Sequence, residues 1–497
     1  MKVKSLIMAM HLLTIPVMAQ QVLPLGSNTP NAAGSPVNSG ATPANPLVQT
    51  CYTSDPAPMP FGDRLYLYTG RDEAGADFFW MYQWRVYSTS DMVNWTDHGS
   101  PIDLHSFTWA DDRAWAAQCI EVGGRFYWYV CAHSKLSGGM AIGVAVSDSP
   151  TGPFRDALGK PLFDNGSWDN IDPTVFIDDA DGQAWLFWGN PSINYARLNP
   201  DMTSFCSEVK VVNQTIEGFG APNAKERDKS VKYLDNYTEG PWIMKRTVPV
   251  LDKKGRITKK VAPLYYLLYA AGGIPEHIAY STAPSPEGPW QYRGHVMPQE
   301  DTKSFTNHCG VADFKGHSYF FYHTGKLPGG GGFGRSAAVE EFTYNADGTF
   351  PIIHHTDGGV APVGTLNPYQ RQEAETIAWS VGVTTEQNAA TGVYVSSISN
   401  GDYIRVREVD FGSTPAAAFT ASAASARQGG RIEVCIDSLN AKPAFTLSVP
   451  PTGGWEAWQQ PSCKATLSVT GKHDVYFRFA GIKGAQLFNL DWWQFLQ

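Results

Sequence analysis

One pattern recurs five times between residues 62 and 322, and it constrains the fold more than any other feature of the chain. Each copy is a tight turn followed by a run of aromatic and aliphatic residues, opened four times by Gly and once by Pro. Such runs, bounded by Gly or Pro, are typical of β-strands. The copies lie at residues 62–68, 124–129, 182–188, 263–269 and 316–322.

The spacing of these copies predicts the architecture. They follow one another at about 50 to 60 residues, with one longer interval, and this is close to the length of a four-stranded propeller blade. Since one blade cannot bury both of its faces, five blades must close into a ring around an axial funnel. We therefore predict an all-β fold with a five-bladed β-propeller over residues 48–363. A β-sandwich would explain the strands but not their spacing.

A second domain is predicted after a linker at residues 364–368. The aromatic pattern stops there, and short β-like runs follow at 403–406, 431–435, 444–447 and 473–479, separated by Gly-rich turns. This pattern is typical of a β-sandwich, here a jelly roll, over residues 369–497.

The N-terminus predicts export. Lys2 and Lys4 precede an apolar run that ends at Ala19, which is the pattern of a signal peptide, here residues 1–20. Residues 21–47 are rich in Asn, Gly, Ala, Ser and Pro and are predicted to be a disordered leader.

The net charge of -9 argues against nucleic acid or an anionic membrane as a partner. We expect a secreted or periplasmic monomer.

The seven Cys have no CxxC spacing, which argues against a cysteine metal cluster. Cys435 and Cys463 lie apart from the others and could form a disulfide in an exported protein. The sequence alone leaves their pairing open.

Three acidic residues stand in short, turn-prone frames in different parts of the repeat array. Asp55 lies in Thr-Ser-Asp-Pro-Ala-Pro, Asp172 in Asn-Ile-Asp-Pro-Thr-Val-Phe and Glu239 in Tyr-Thr-Glu-Gly-Pro-Trp. Any one of them is compatible with an ordinary turn. In a propeller, however, residues at or just before the first strand of a blade lie at the funnel, so acids from three blades can converge.

Three carboxyl groups in a funnel suit glycoside hydrolysis with inversion. One carboxylate activates water, and one carboxylic acid, about 6.5 to 9.5 Å away, protonates the leaving oxygen. A third carboxylate near the acid raises the pKa of that acid by like-charge repulsion.

The aromatic repeats with Ser-Asp-Pro, Ile-Asp-Pro and Glu-Gly-Pro resemble glycoside hydrolase family 43 over about residues 48–362. The resemblance implies an inverting five-bladed propeller enzyme. Asp55 would be the general base, Asp172 the residue that modulates pKa and orients the acid, and Glu239 the general acid.

The same resemblance implies further site residues. Trp115 matches a position that lines the substrate pocket, and Arg335 matches an arginine that contacts substrate. His308, in Thr-Asn-His, matches an axial histidine at the pocket, beside a buried calcium or other cation. On the residues alone, Trp115 could be a core residue, His308 a hydrogen-bonded histidine and Arg335 part of a surface salt bridge.

The C-terminal domain resembles carbohydrate-binding module family 6. The matching segments are 372–375, 400–403, 453–458 and 488–493. The resemblance implies a structural calcium held by Glu373, Glu375 and Asp491, and hard oxygen ligands of this kind suit calcium. It also implies sugar binding by Trp455 and Asn489.

These features predict an exo-acting enzyme that releases α-L-arabinofuranosyl units from a plant cell-wall polysaccharide, arabinoxylan or arabinan. β-Xylosidase and endo-arabinanase activities on the same fold stay open, as does a non-catalytic glycan-binding scaffold. Retaining fructan or sucrose hydrolases share the fold, but their motifs read Arg-Asp-Pro and Glu-Cys, which differ from the motifs here.

Overall fold

The computed structural model describes residues 44–221 and 236–497, and this part of the chain is all-β, as predicted. The predicted signal peptide lies outside the described residues. The last residues of the predicted leader, 44–47, do not fit a disordered segment. Asn45 and Leu47 are buried, and the Asn45 side-chain amide donates to the carbonyl oxygen of Val339 at 3.0 Å. The folded part therefore begins before Val48.

The N-terminal region contains five antiparallel sheets in chain order. The first three contain strands β1 to β14, together with a 3-10 turn at Leu104–Ser106. Sheet 1 contains β1 Ser54–Phe61, β2 Arg64–Gly70, β3 Gln83–Thr89, β4 Trp95–Asp97 and β5 Ile102–Asp103. Sheet 2 contains β6 Ala110–Asp112, β7 Gln118–Val122, β8 Arg125–Ser134, β9 Met140–Ser147 and β10 Arg155–Asp156. Sheet 3 contains β11 Thr174–Ile177, β12 Ala184–Trp188, β13 Asn194–Arg197 and β14 Lys210–Val211.

Sheets 4 and 5 complete the N-terminal region after the short helix α1, Ile216–Phe219. Sheet 4 contains β15 Tyr237–Leu251, β16 Ile257–Ala271, β17 His277–Ala283 and β18 Gln291–Met297. Sheet 5 contains β19 Gly310–Phe314, β20 His317–Thr324 and β21 Ser336–Phe342.

The five predicted aromatic strands are β2, β8, β12, β16 and β20, and each lies between two partners in its sheet. Their aromatic and aliphatic side chains suit this position because both faces of a central strand are packed. Turns with φ of +84° at Gly124 and +85° at Gly316 precede two of them, a conformation that Gly adopts without strain.

The first strands of neighbouring sheets lie beside one another. Strand β1 contacts β7, β7 contacts β11, β11 contacts β15, and β19 returns to contact β1. The starts of these strands therefore lie close to one another. Side chains from the beginnings of different sheets can meet there although they are far apart in sequence.

The C-terminal domain consists of two sheets that share one apolar core. Sheet 6 contains β22, β25, β26, β28, β31 and β33, sheet 7 contains β24, β27, β29, β30 and β32, and β23 joins sheet 1 instead. The bounds are β22 Gln372–Glu373, β23 Thr376–Ile377, β24 Trp379–Val381, β25 Thr384–Asn388, β26 Gly392–Ser396, β27 Tyr403–Asp410, β28 Ala418–Ala424, β29 Gly430–Ile436, β30 Phe445–Val449, β31 Ser462–Lys464, β32 Lys472–Ala480 and β33 Asn489–Leu496.

The two domains are joined by more than the linker. Strand β23 pairs with β4, so it extends sheet 1 of the N-terminal domain. Nearby, the side chain of Asn94 exchanges two hydrogen bonds of 2.8 Å with the backbone of Arg407. The C-terminal domain is therefore docked on the first sheet.

A disulfide between Cys435 and Cys463, which the sequence left open, is not formed. All seven cysteines lie in the described residues, and all are free thiols. Cys435 is on β29 and Cys463 on β31, which belong to different sheets.

Within residues 44–221 and 236–497, no helix has the length and apolar character needed to cross a membrane.

Candidate active site

The three predicted acids lie at the start of three different sheets and meet at one cavity. Asp55 is on β1, Asp172 stands two residues before β11, and Glu239 is on β15. All three line a cavity that encloses about 670 Å³ of space, counted to its open mouth. The contacts between the first strands thus bring together acids that are 117 and 67 positions apart in the chain.

Both Asp-Pro motifs hold their aspartate in an unusual backbone conformation. The φ angle is +50° at Asp55 and +58° at Asp172. This left-handed conformation is uncommon for residues other than Gly, although Asp tolerates it better than most. Strained positions of this kind cluster at functional sites and cost of order 1–3 kcal/mol each. Of the ten residues other than Gly with positive φ in the described part of the chain, two are acids that line the cavity.

Asp55 is surrounded by cationic and imidazole groups. Its Oδ1 accepts a hydrogen bond of 2.9 Å from Arg335 and lies 3.4 Å from Nδ1 of His323 and 3.9 Å from Nδ1 of His308. Burial on its own would raise the pKa of Asp55, but the charge of Arg335 and the hydrogen bond with His323 hold that pKa well below its usual range. Asp55 is therefore ionised and able to accept a proton.

Arg335 is buried and is held by two carboxylates. Its Nε and one terminal nitrogen donate to the two oxygens of Asp72, each at 2.9 Å, while the other terminal nitrogen donates to Asp55. The guanidinium group also lies over the ring of Phe79, 4.9 Å from its centroid. A two-pronged arginine–carboxylate contact fixes orientation as well as charge. Arg335 lines the cavity, and its contact with substrate stays a prediction.

Asp172 and Glu239 have the opposite electrostatic character. Burial, followed by the charges of Glu239 and Asp55, holds the pKa of Asp172 well above its ordinary value. Burial likewise raises the pKa of Glu239, although Oε2 of this residue accepts a 2.5 Å hydrogen bond from Asn190. One cavity thus combines a carboxyl group whose pKa is lowered with two whose pKa values are raised, which is the pattern of paired base and acid groups.

Gly240 explains the Glu-Gly part of the third motif. It has φ of +60°, and a Cβ placed there would lie 3.0 Å from Nδ1 of His308. Its N–H donates to Asp172 at 3.0 Å. A residue without a side chain therefore allows the strand that carries Glu239 to approach both Asp172 and His308.

Aromatic rings form one wall of the cavity: Phe78, Phe79, Trp115 and Trp168. The ring of Trp115 meets those of Phe79 and Trp168 edge to face, at 6.1 and 5.4 Å between centroids. Trp115 is buried and its indole N–H donates to the carbonyl oxygen of Phe79, whereas Trp168 is 49% exposed. The structure therefore brings predicted residue Trp115 to the cavity, with Trp168 as the more accessible ring.

His308 also lines the cavity, as predicted. Burial lowers its pKa to about 4, so its ring is neutral near pH 7. In the part of the chain that the structure describes, no three His, Cys, Asp or Glu side chains form a metal-binding group. The positively charged Arg335 shares the neighbourhood of His308 and Asp55. This setting favours a role for His308 as a neighbour of the Asp55 carboxylate, 3.9 Å from its Oδ1. A metal-ligand role for His308 stays a prediction.

The predicted sugar-binding residues of the C-terminal domain lie together. The side-chain amide of Asn489 donates to the backbone oxygen of Trp455 at 2.9 Å. Asn489 is buried, and its Oδ1 has no hydrogen-bond partner among the described residues. The rings of Tyr394 and Trp458 form an edge-to-face pair 5.3 Å apart.

The predicted calcium ligands of the C-terminal domain, Glu373, Glu375 and Asp491, lie near enough to act on one another's charge, but they are not among any group of three such side chains arranged to hold a metal in the described residues. Burial, followed by the charges of Glu373, Asp97 and Asp491, holds the pKa of Glu375 well above its ordinary value. Oε2 of Glu375 and Oδ1 of Asp491 are buried and have no hydrogen-bond partner in the described chain. Arg371 lies 2.8 Å from Glu373 and 3.7 Å from Asp491. The unpartnered carboxylate oxygens fit the ligand chemistry of a hard cation.

Comparison with known proteins agrees with this geometry. The family model described as glycosyl hydrolases family 43 matches residues 43–350. This chain belongs to that family. The family 6 carbohydrate-binding module matches residues 373–497, so the C-terminal domain is such a module.

Individual relatives share the two-domain arrangement. A curated arabinoxylan arabinofuranohydrolase of Bacillus subtilis (strain 168) is 32% identical over 91% of this chain and 92% of its own length. The crystal structure of a family 43 arabinoxylan arabinofuranohydrolase from Bacillus subtilis with cellotetraose matches at a TM-score of 0.74 and 30% identity, and covers 92% of this chain and 98% of its own.

A third similar protein matches the catalytic domain. It is a family 43 β-xylosidase/α-arabinofuranosidase from a compost microbial metagenome, in complex with xylotriose and in a calcium-free form. The TM-score is 0.52 at 28% identity, with 63% of this chain and 98% of that chain covered.

Four residues of the family 43 site were missed from the sequence: Asp72, Asn190, Glu276 and His323. Asp72 holds Arg335, Asn190 holds Glu239, His323 contacts Asp55, and Glu276 interacts with Glu239. Asp72, Asn190 and Glu276 follow the end of a sheet's second strand, near a Gly or Pro, and His323 is next to the last residue of β20. A search for polar residues at the ends of the aromatic strands could have found them.

Proposed function

We propose that this family 43 enzyme removes single α-L-arabinofuranosyl units from arabinoxylan by hydrolysis with inversion. The observation that carries the proposal is the contrast inside one cavity, where Asp55 is held ionised while Asp172 and Glu239 are held toward the protonated form. Inverting hydrolysis needs such a pair of one base and one acid.

In the proposed reaction, water attacks the anomeric carbon from the face opposite the leaving group. Asp55 accepts a proton from this water, and Glu239 gives its proton to the leaving oxygen of the polysaccharide. Asp172 and Glu239 oppose each other's ionisation, because two neighbouring carboxylates would repel each other. The side-chain amide of Asn190, bonded to Oε2 of Glu239, fixes the direction of the acid.

The aromatic wall supports action on one terminal sugar. Phe78, Phe79, Trp115 and Trp168 form one side of the cavity, and apolar rings suit the faces of a sugar. The substrate choice draws on the relative in Bacillus subtilis that is named for arabinoxylan.

We further propose that the five sheets are the blades of a five-bladed propeller over residues 48–363 and that residues 369–497 direct the enzyme to polymer. Trp455 and Asn489 would contact the polysaccharide. A structural calcium bound by Glu373, Glu375 and Asp491 would neutralise these carboxylates, of which those of Glu375 and Asp491 are buried. We also propose export of a monomeric enzyme by the signal peptide at residues 1–20.

The function is tested by incubating the purified protein with arabinoxylan, an aryl α-L-arabinofuranoside and the matching β-D-xyloside. Arabinose release from the first two is the expected result, and the release from arabinoxylan should be strongly reduced in a Glu239→Gln variant. Release of xylose alone would move the assignment to a β-xylosidase. Shorter oligosaccharides released from arabinan without free arabinose would indicate an endo-arabinanase. The absence of all products would favour a glycan-binding scaffold.

A further inference from the structure

Arg113 lies beside the aromatic wall of the cavity and has no role in the mechanism above. It follows β6 directly, in the turn that leads to Trp115, and its φ angle is +62°. The carbonyl oxygen of Arg113 accepts from the N–H of Trp115 at 2.8 Å. The N–H of Ala114, between them, donates to the carbonyl oxygen of Met81 at 2.9 Å. The turn and the segment before β3 therefore fix the point at which the Arg113 side chain begins.

The guanidinium group of Arg113 lies against two tryptophan rings of that wall. Its central carbon is 5.8 Å from the centroid of Trp115 and 5.6 Å from the centroid of Trp168. Nε of Arg113 is buried and has no hydrogen-bond partner among the described residues. A terminal nitrogen lies 3.9 Å from the carboxylate of Asp112, which is longer than a hydrogen bond. This cation is therefore placed to act on the two rings, as arginine does in cation–π contacts.

The two rings differ in how much of their surface solvent can reach. Both line the cavity, but Trp115 is 8% exposed and Trp168 is 49% exposed. Trp168 is therefore the outer ring, at the mouth of the cavity. An aromatic ring that remains accessible beside a sugar-binding cavity can pack on the face of a sugar that stays outside it.

The backbone that carries Trp168 is held by bonds of its own. The carbonyl oxygen of Ser167 accepts from the N–H of Met140 at 3.0 Å. The buried side-chain amide of Asn170 donates to the carbonyl oxygen of Met140 at 3.0 Å. These bonds fix the segment on both sides of Trp168, two residues before Asp172. A cation placed against the ring can therefore set the orientation of the ring without moving Asp172.

We infer that Arg113 is a positioning residue, which holds the Trp168 ring at the mouth of the cavity so that the ring contacts the main-chain sugar bearing the arabinofuranosyl unit. The cavity takes the terminal unit, and the sugar that leaves with the main chain lies at the mouth. Arg113 contacts no substrate in this assignment and acts through Trp168. The inference rests on the proposed function, because it requires a branched polysaccharide whose main chain stays outside the cavity.

The test is a double-mutant cycle of Arg113→Met and Trp168→Ala, with kcat and KM measured on arabinoxylan oligosaccharides. Loss of a partly exposed cation–π contact should raise KM about two- to fivefold in Arg113→Met, while kcat stays close to wild type. Trp168→Ala should raise KM further. Adding Arg113→Met to it should then change nothing more, because the two residues act as one unit. Arg113→Lys keeps the positive charge and should restore part of the affinity.

Inhibition by free L-arabinose separates this role from a general disturbance of the cavity. Arabinose enters the cavity and carries no main chain, so its inhibition constant should be the same in wild type and Arg113→Met. Arg246→Met is the matched control, because Arg246 lies over the ring of Tyr344, 3.6 Å from its centroid, in the same domain and outside the cavity lining. Its KM should coincide with that of wild type.

The outcomes distinguish the two levels of the proposal. An unchanged KM in Arg113→Met would overturn the role of Arg113. So would a fall in kcat alone, a parallel rise in the arabinose inhibition constant, or an effect of Arg113→Met that persists in full beside Trp168→Ala. None of these results touches the proposed function if wild type releases arabinose from arabinoxylan. If wild type releases none, the proposed function fails, and the role of Arg113 fails with it. Should Arg113→Met not fold, Arg113→Gln replaces it with the same expectations.

Discussion

The molecule contains two buried clusters of acids whose surroundings differ. In the catalytic cavity, Arg335 lowers the pKa of Asp55, while burial raises the pKa of Asp172 and Glu239. In the C-terminal module, burial raises the pKa of both Glu375 and Asp491, and an oxygen of each has no hydrogen-bond partner among the described residues.

The difference indicates two kinds of chemistry from the same residue types. Carboxyl groups whose pKa values are pulled apart, at an open cavity, can exchange protons with a substrate. Carboxyl groups whose pKa values are raised together are stabilised once a cation neutralises them. The charge environment of an acid cluster therefore separates a proton-transfer site from an ion site more clearly than the number of acids does.

The largest expected effect is the loss of the acid in the cavity. Glu239→Gln should lower kcat on arabinoxylan by about 10²–10⁴-fold, the usual range for removal of a general acid. An aryl substrate with a good leaving group should be affected far less. Measured rates of arabinose release from both substrates check this, and an equal loss on the two would argue against proton donation by Glu239.

Removing Arg335, the cation that lowers the pKa of Asp55, should change both the pH dependence of catalysis and the stability of the fold. In Arg335→Met, burial is no longer offset by positive charge, so the pKa of Asp55 rises. Because the base must be ionised, the acidic limb of kcat/KM should move to higher pH. Leaving Asp72 buried without its partner should also cost about 3–5 kcal/mol of unfolding free energy.

The control for this variant is Arg246→Met, which removes a partly exposed arginine of the same domain that pairs with Asp313. Its acidic limb should stay at the wild-type position. An acidic limb that stays in place in Arg335→Met as well would contradict the assigned electrostatics of Asp55.

In the C-terminal cluster, calcium should change stability and not catalysis. At a free calcium concentration 100 times the Kd, the native state should gain about 2.7 kcal/mol, seen as a rise in Tm that a chelator reverses. Glu375→Gln should abolish the calcium-dependent rise, whereas Glu386→Gln, at an exposed glutamate of the same module, should preserve it. A calcium-dependent rise in Tm that persists in Glu375→Gln would move the ion elsewhere.

The smallest expected effect concerns polymer binding by the module. Trp455→Ala removes a ring that is proposed to stack on sugar, so affinity for insoluble arabinoxylan should fall about two- to tenfold. Activity on a small aryl arabinofuranoside should not change. Leu467→Ala removes an exposed apolar side chain of the same module and serves as the control in a depletion assay.

The sequence predicted the parts of the site that short motifs encode. Asp55, Asp172 and Glu239 could be found because each stands in a turn before an apolar strand, and the repeat implied that such positions meet at an axis. Trp115 and His308 were located by the family resemblance, and both line the cavity.

Side-chain pairs that are distant in sequence and meet only in the folded protein could not be predicted. Asp72 and Arg335 are 263 positions apart, and Asn190 and Glu239 are 49 apart, so no local pattern connects them. The pairing of β23 with β4 was missed for the same reason, since a two-residue strand that crosses between domains has no periodicity to detect. The burial of Asn45 and Leu47 and the separation of Cys435 from Cys463 could not be predicted either, because burial and sheet membership depend on contacts distant in sequence.

The most direct test of the account is the stereochemistry of the first product, followed by proton NMR during early hydrolysis of an aryl α-L-arabinofuranoside. If Asp55 directs water to the face opposite the leaving group while Glu239 protonates that group, β-L-arabinofuranose should form first and only later equilibrate. Initial formation of the α anomer would mean a covalent intermediate with retention, and would contradict the division of roles between Asp55 and Glu239.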